Sequence, residues 1–161
     1  MASNNLYFER ERVKSNVFRS LTKASILVYL DFRMKCKVQR IKGNPGRKDT
    51  WTIINNGEIE YTYSEAEKVG FTRSRFMRAI DELVEKGFLD ITHSGSGGMK
   101  GDKSKYAISE RWRDWGTDRF IEKTRQKDTR KGRGFAVYWK KKRANMGIKN
   151  DNPPVIKNDN P

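Results

Sequence analysis

Three arginines lie at the start of a segment, residues 73–86, whose apolar residues recur at the spacing of one helix face. They are Arg73, Arg75 and Arg78, and the acidic residues of the segment come after them. This order opposes the helix macrodipole, which favours anions at the N-terminus. A polyanion bound there would turn an unfavourable charge into an attraction, because a guanidinium can hydrogen-bond a phosphate or the O6 and N7 atoms of guanine. The alternative is an arginine-rich face that contacts only solvent.

The sequence also predicts where this helix and the one before it begin and end. Thr72 is a suitable N-cap residue, and Gly87 lies where a C′ glycine would end the helix. The helix should bury Phe76, Ile80, Leu83 and Val84. A shorter helix is predicted to begin with a capping box, Ser64 followed three positions later by Glu67, and to end by Gly70.

The other elements are predicted from periodicity and turn residues. A first helix is expected over residues 23–36, with Thr22 as its N-cap. Its predicted core face consists of Ala24, Ile26, Leu27, Leu30 and Met34. Two β-rich runs around Asn56-Gly57 predict a hairpin over residues 51–63. Residues 88–94 and 105–109 read as two strands joined by a glycine-rich loop. The order is helix, hairpin, helix, turn, helix, strand, loop, strand.

The charge balance points to a polyanionic partner. The chain has 35 Lys and Arg against 20 Asp and Glu, which gives a formal net charge of +15 over 161 residues. Such a field attracts polyanions, of which nucleic acid is the usual one. A basic surface that serves only solubility is the alternative.

The C-terminal part is expected to lack a core. Positive residues dominate between positions 111 and 145, and the unit IKNDNP occurs twice, at residues 148–153 and 156–161. Two copies of a six-residue polar unit cannot bury an apolar core. We therefore expect an N-terminal arm at 1–20, a domain at 21–120, and a disordered, basic, low-complexity tail at 121–161.

The segment EAEKVGFTRSRFMRAIDELVEKGFLDI resembles the helix-turn-helix of winged-helix DNA-binding domains of the MarR and related bacterial types. The residues that carry the resemblance are Gly70, Thr72, Arg73, Ser74, Arg78, Glu85, Lys86 and Gly87. It covers residues 21–109 and implies an α+β fold, a winged helix-turn-helix with an extra β-hairpin before helix 2. The long C-terminal helices through which MarR-type regulators dimerise have no counterpart here. In shape the domain is similar to the winged helices of plasmid and phage replication initiators.

Taken with the helix face, the resemblance gives a set of expected DNA contacts. Base contacts are expected from Arg73, Ser74, Met77 and Arg78. Phosphate contacts are expected from Thr72, Arg75, Lys100, Lys103 and Lys105, the lysines lying on or beside the glycine-rich loop. Non-specific contacts from the tail are expected from Arg125, Arg130, Lys131, Arg133, Lys140, Lys141, Lys142 and Arg143.

The expected function is sequence-specific binding of double-stranded DNA by a transcriptional regulator of a bacterium or mobile element. A replication initiator or partition protein and an RNA-binding basic protein stay open as alternatives. So do a homodimer and a protein partner for the tail. With one histidine and one cysteine, the sequence offers no catalytic set, metal site or cofactor site. It has no apolar run that spans a membrane, so we expect a cytoplasmic, nucleoid-associated protein.

Overall fold

The computed structural model describes residues 8–41, 50–95 and 102–125, together with residue 142. Within these ranges the fold is mixed α+β, as expected. The helices are α1 (Arg10–Lys14), α2 (Asn16–Arg19), α3 (Lys23–Met34), α4 (Tyr63–Lys68), α5 (Arg73–Glu85) and a 3₁₀ helix (Arg111–Asp114). The strands are β1 (Val38–Ile41), β2 (Thr50–Ile53), β3 (Ile59–Glu60), β4 (Leu89–His93) and β5 (Lys105–Ile108).

Helix α5 follows its sequence pattern closely. The Thr72 hydroxyl accepts a hydrogen bond from the Arg75 backbone N–H at 3.3 Å, which confirms the predicted N-cap. Gly87 follows the helix with a φ of 81°, a conformation that favours glycine. The predicted stripe is confirmed, because Phe76, Ile80, Leu83 and Val84 are all buried. Because these four side chains are buried, the opposite face of α5 is exposed to solvent.

Helix α3 forms where it was predicted but buries a different face. The core takes Ser25, Val28, Tyr29 and Phe32. The expected core residues Leu27 and Met34 are 50% and 65% exposed, so that part of the prediction is wrong. The sequence KASILVYLDFRM has apolar residues around most of the helix, so spacing alone could not select the buried side. The larger aromatic side chains lie inward, where Tyr29 and Phe32 contact other rings.

Contacts at both ends show that α3 and α5 run antiparallel. At the N-terminus of α3, the Ser25 hydroxyl donates to the Glu82 carboxylate at 2.5 Å, and the Thr22 hydroxyl donates to it at 2.8 Å. Near its other end, the Phe32 ring lies 5.3 Å from that of Tyr61, which lies 4.7 Å from Phe76. The C-terminal end of α3 therefore lies near the N-terminal end of α5.

The capping box of α4 begins two residues earlier than predicted. Thr62 is the N-cap and Glu65 is its partner, with hydrogen bonds in both directions. Ser64 and Glu67 fit the same motif in sequence. The structure uses Thr62 because Glu65 also accepts a hydrogen bond from Lys35 of the neighbouring α3 end at 2.7 Å. This long-range partner is invisible to a local pattern.

The two strands after α5 are confirmed, but the predicted hairpin is wrong. Strands β3, β5 and β4 form a three-stranded antiparallel sheet with β5 in the centre. Strand β2 pairs with β1 instead of with β3. The Asn56 side chain bonds both the N–H and the C=O of Ile108, at 2.7 and 3.2 Å. The Asn-Gly turn therefore leads the chain from one sheet into the other.

The compact unit includes residues that the sequence pattern assigned to an arm. Val17 and Phe18 of α2 belong to the hydrophobic core. Arg12 of α1 is fully buried and pairs with Glu110, and its guanidinium lies 5.3 Å from the centre of the Trp112 ring. Trp112 closes the core beneath Phe88, to which its ring is stacked. The N-terminal helices and the 3₁₀ helix thus stabilise each other.

Candidate nucleic-acid interface

The outer face of α5 presents the four residues that were expected to contact bases. Arg73, Ser74 and Arg78 are exposed, and Met77 is 38% exposed. They share one side because the opposite stripe is buried. The Thr72 cap binds the third N–H of the helix, which leaves the N–H groups of Arg73 and Ser74 for an outside acceptor. The N-terminal turn of α5 therefore offers both charge and hydrogen-bond donors.

The three arginines of this face have different surroundings. Arg73 Nε donates to Glu67 of α4 at 2.7 Å, and this hydrogen bond raises the pKa of Arg73. Arg75 lies over the Phe71 ring, 5.6 Å from its centre. Arg78 has no ion pair with any residue that the structure describes. An exposed pair such as Arg73–Glu67 contributes little to stability, so a phosphate could displace the carboxylate at small cost.

The lysines expected to contact phosphates beside the glycine-rich loop are paired with carboxylates. Lys103 contacts Glu60 at 2.9 Å, and Lys105 contacts Glu58. Each hydrogen bond to a glutamate raises the pKa of its lysine. Next to them, His93 Nε2 lies 2.7 Å from Asp102. The base of the β4–β5 pair therefore carries cations and carboxylates side by side, and the phosphate contacts expected from Lys103 and Lys105 stay a prediction. Lys100 lies outside the described residues.

Arg125, expected in the tail, is held against the compact unit. Its guanidinium contacts Asp81 of α5 at 2.9 and 3.0 Å and the Tyr63 hydroxyl at 3.3 Å. Its side chain is only 28% exposed. This link cannot be seen in the sequence, because the partners of Arg125 lie 44 and 62 positions away. The side chain of Arg125 is thus anchored to α5 and to Tyr63.

The other tail residues expected to bind DNA lie almost wholly outside the part of the chain described. These are Arg130, Lys131, Arg133, Lys140, Lys141 and Arg143. Lys142 is described and has a helical conformation. Their contribution to binding stays a prediction.

The described ranges contain no other obvious chemical site. No group of three or more His, Cys, Asp or Glu residues within them could hold a metal ion. None of their helices combines the length and apolar character needed to cross a bilayer. Cys36 is a free thiol that donates to the Phe32 carbonyl at 3.3 Å, and burial raises its pKa. A raised pKa makes the reactive thiolate scarce, which fits a structural role.

Comparison of the chain with protein-family models, with curated proteins and with solved structures gives no match.

Proposed function

We propose that the chain binds double-stranded DNA in a sequence-specific manner through a winged helix whose recognition helix is α5, and that it acts as a transcriptional regulator. The helix-turn-helix would consist of α4 and α5, with Gly70 in the turn. The wing would be the pair β4 and β5 with the glycine-rich loop between them. The first helix would be α3, and the short strand that follows it in such domains would be β3.

The exposed N-terminal face of α5 is the observation that carries this proposal. Its Arg73, Ser74 and Arg78 lie opposite a fully buried apolar stripe, so they cannot serve the core. Helices that enter the major groove end-on read bases with their N-terminal residues. Arginine binds guanine O6 and N7 with two hydrogen bonds, and Arg78 has no competing ion pair among the described residues.

Two further features support the proposal. The order of the sheet, β3-β5-β4, keeps the strand before α4 next to the last strand, so the two helices and the β4–β5 pair belong to one unit. The net charge of +15 supplies the long-range attraction to phosphate that such a domain needs. The paired lysines at the base of β4 and β5 reduce the contribution expected from the wing.

The proposal is tested by selecting bound duplexes from a random pool at about 150 mM salt, where weak phosphate contacts alone are screened. The full chain is compared with residues 1–125, which keep the Arg125–Asp81 link. We expect the same enriched motif with both. Binding to structured RNA at equal affinity, or a loss of all selectivity with the tail, would overturn the proposal.

A replication initiator is a second candidate, supported by one observation. The β1–β2 pair is inserted between α3 and β3, the departure from MarR-type domains that brings the chain nearer to initiators in shape. Repeated copies of the selected motif in the DNA beside the gene would favour an initiator. A single copy at a promoter would favour a regulator.

A further inference from the structure

Helix α3 has a second apolar side that the core does not use. Leu27 and Met34 are 50% and 65% exposed, and Leu30 between them is half-buried. These three residues recur at i, i+3 and i+7, so they form one stripe along the helix, which we call the Leu27 stripe. The side chains that α3 buries lie on the opposite side. A helix that is apolar on two sides is normally covered on both, so the exposed stripe indicates a contact with another molecule.

Two charged residues flank the centre of the Leu27 stripe. Lys23 and Asp31 lie four residues before and four residues after Leu27, so each is about one helical turn from it on the same face. Lys23 is exposed and has no ion pair within residues 8–41, 50–95 and 102–125. Asp31 accepts a hydrogen bond from the Tyr61 hydroxyl on Oδ2 at 2.7 Å, and its second oxygen can accept from a further donor. The stripe thus carries a cation and a carboxylate at equal distances from its centre.

This arrangement is complementary to itself. In a two-fold pairing of antiparallel helices about Leu27, position 23 of one copy lies opposite position 31 of the other. Both charge pairs then form at once, and the two Leu27 side chains pack at the centre. A parallel pairing would instead place each lysine beside a lysine. A second copy also suits the stripe better than DNA does, because Asp31 would repel phosphate and leucine offers it no hydrogen bond.

The Leu27 stripe is separate from the outer face of α5. The core side of α3 contacts α5, since the Ser25 hydroxyl donates to the Glu82 carboxylate at 2.5 Å. The stripe therefore faces away from α5, and a second copy bound there leaves the α5 arginines open. A two-fold dimer presents two copies of α5 related by the same axis, and dimers of this symmetry bind inverted repeats in DNA.

We propose that the Leu27 stripe is a contact between two copies of this chain, which pack α3 against α3 in antiparallel orientation, with Lys23 of each copy paired with Asp31 of the other. The contact itself does not depend on DNA, whereas the inverted repeat that follows from it rests on the proposed DNA binding through α5. One helix face is smaller than a standard interface, so we expect a weak dimer with a Kd of about 10 to 100 µM. Two half-sites on one duplex raise the effective concentration and stabilise the pair.

The first test places a charge at the centre of the stripe in the full chain. Leu27→Asp is compared with Ile121→Asp, which adds the same charge at an apolar residue that is 63% exposed elsewhere. Sedimentation equilibrium from about 1 to 500 µM, at about 150 mM salt to screen the net charge, gives the dimer Kd. We expect Leu27→Asp to raise the Kd at least about 30-fold and Ile121→Asp to leave it unchanged. A wild-type chain that is monomeric over the whole range, or equal Kd values for the two variants, would overturn the inference.

The second test uses the charge pair to check the antiparallel register. Lys23→Glu and Asp31→Lys each place like charges opposite one another, so each variant alone should dimerise about tenfold more weakly. Mixed together they restore both opposite-charge pairs, and we expect heterodimers with the wild-type Kd. Homodimers as strong as the wild type, or a mixture no stronger than its components, would overturn the register. Asp31→Asn keeps an acceptor for Tyr61 and should weaken the dimer about threefold, which tests the same pair if Asp31→Lys does not fold.

Selection from random duplexes separates failure of this contact from failure of the proposed function. We expect the wild-type chain to select an inverted repeat and Leu27→Asp to select one half of it. A monomeric wild-type chain that selects a single half-site would overturn the stripe contact alone. A dimer that selects no motif, but is weakened by Leu27→Asp, would support the stripe contact and overturn sequence-specific recognition by α5.

Discussion

At the scale of single residues, the surroundings of each cation decide what it can contribute to DNA binding. Arg78 is exposed and has no ion pair among the described residues, whereas Arg73 is held by Glu67. Lys103 and Lys105 are held by Glu60 and Glu58. The spacing of the cations can be seen in the sequence. Their partners cannot, because the lysines pair with glutamates more than 40 positions away.

Glu60 of β3 and the preceding Glu58 should weaken DNA binding by competing with phosphate for Lys103 and Lys105. We predict that Glu60→Gln strengthens binding to duplex DNA and steepens its salt dependence by about 0.9, because Lys103 becomes free for one phosphate. Filter binding or fluorescence anisotropy over a salt series measures both quantities. Glu122→Gln is the control, since Glu122 is exposed and has no ion pair with a described residue. Equal effects of the two variants would show that Lys103 does not contact DNA.

At the scale of elements, local sequence patterns predicted a helix correctly where its apolar residues lie on one face and its ends carry clear capping residues. Helix α5 could be predicted because its apolar residues occupy a single stripe with a cap at each end. Helix α3 could not be oriented because Leu27 and Phe32 suit a core equally well by type, and only tertiary packing buries Phe32. The capping box was misplaced by two residues because the deciding contact comes from Lys35, outside the motif.

Two glycines with positive φ, Gly70 after α4 and Gly87 after α5, give a matched test of the close packing at the C-terminal end of α5. Gly70 and Gly87 have φ values of 90° and 81°. A Cβ on Gly70 would have no neighbouring atom within 4 Å. A Cβ on Gly87 would lie 2.7 Å from the backbone nitrogen of Trp112. We predict that Gly70→Ala costs about 1 kcal/mol of unfolding free energy and Gly87→Ala at least about 2 kcal/mol more. Urea unfolding measures both, and equal losses would contradict the close contact with Trp112.

The α4 cap makes stability depend on pH through Glu65. Hydrogen bonds from Lys35 and from the Thr62 backbone lower the pKa of Glu65 from 4.5 to about 2. A lowered pKa adds stability above about 4.5, and this stability is lost as the pH falls towards 2. We predict that the free energy of unfolding at pH 7 is higher for the wild-type chain than for Glu65→Gln. The difference should be about 1 kcal/mol or less, since the carboxylate is partly exposed.

Thermal unfolding from pH 7 to pH 2 measures this difference, and it should shrink steadily below about pH 4.5. A difference that is independent of pH would contradict the assigned role of the carboxylate charge.

At the scale of the whole molecule, the pairing of the strands depends on contacts between residues far apart in the sequence, which a local pattern does not show. The Asn56-Gly57 signal predicted a local hairpin, but β2 pairs with β1 and β3 pairs with β5. Asn56 itself binds the backbone of Ile108, 52 positions away. The N-terminal helices were likewise not expected in the core, because α1 and α2 are too short for periodicity to reveal a buried face.

The buried Arg12 joins the two ends of the compact unit. It pairs with Glu110, and neighbouring Arg113 bridges Glu9, Glu11 and Glu110 at the surface. We predict that Arg12→Ala lowers the unfolding free energy by about 3 kcal/mol, because it removes a fully buried side chain and its ion pair. Arg113→Ala, at an exposed site, should cost about 1 kcal/mol or less. Similar losses in urea unfolding would contradict the anchoring role of Arg12.

The most direct test of DNA recognition by α5 is to repeat the selection from random duplexes with Arg78→Ala. The predicted result is a motif that loses its preference at one guanine position and keeps the others, with affinity for the original site lower by about 1–3 kcal/mol. Arg19→Ala is the matched control and should return the wild-type motif. An unchanged motif and affinity with Arg78→Ala would contradict the account, because the face of α5 opposite the buried stripe would then not read DNA.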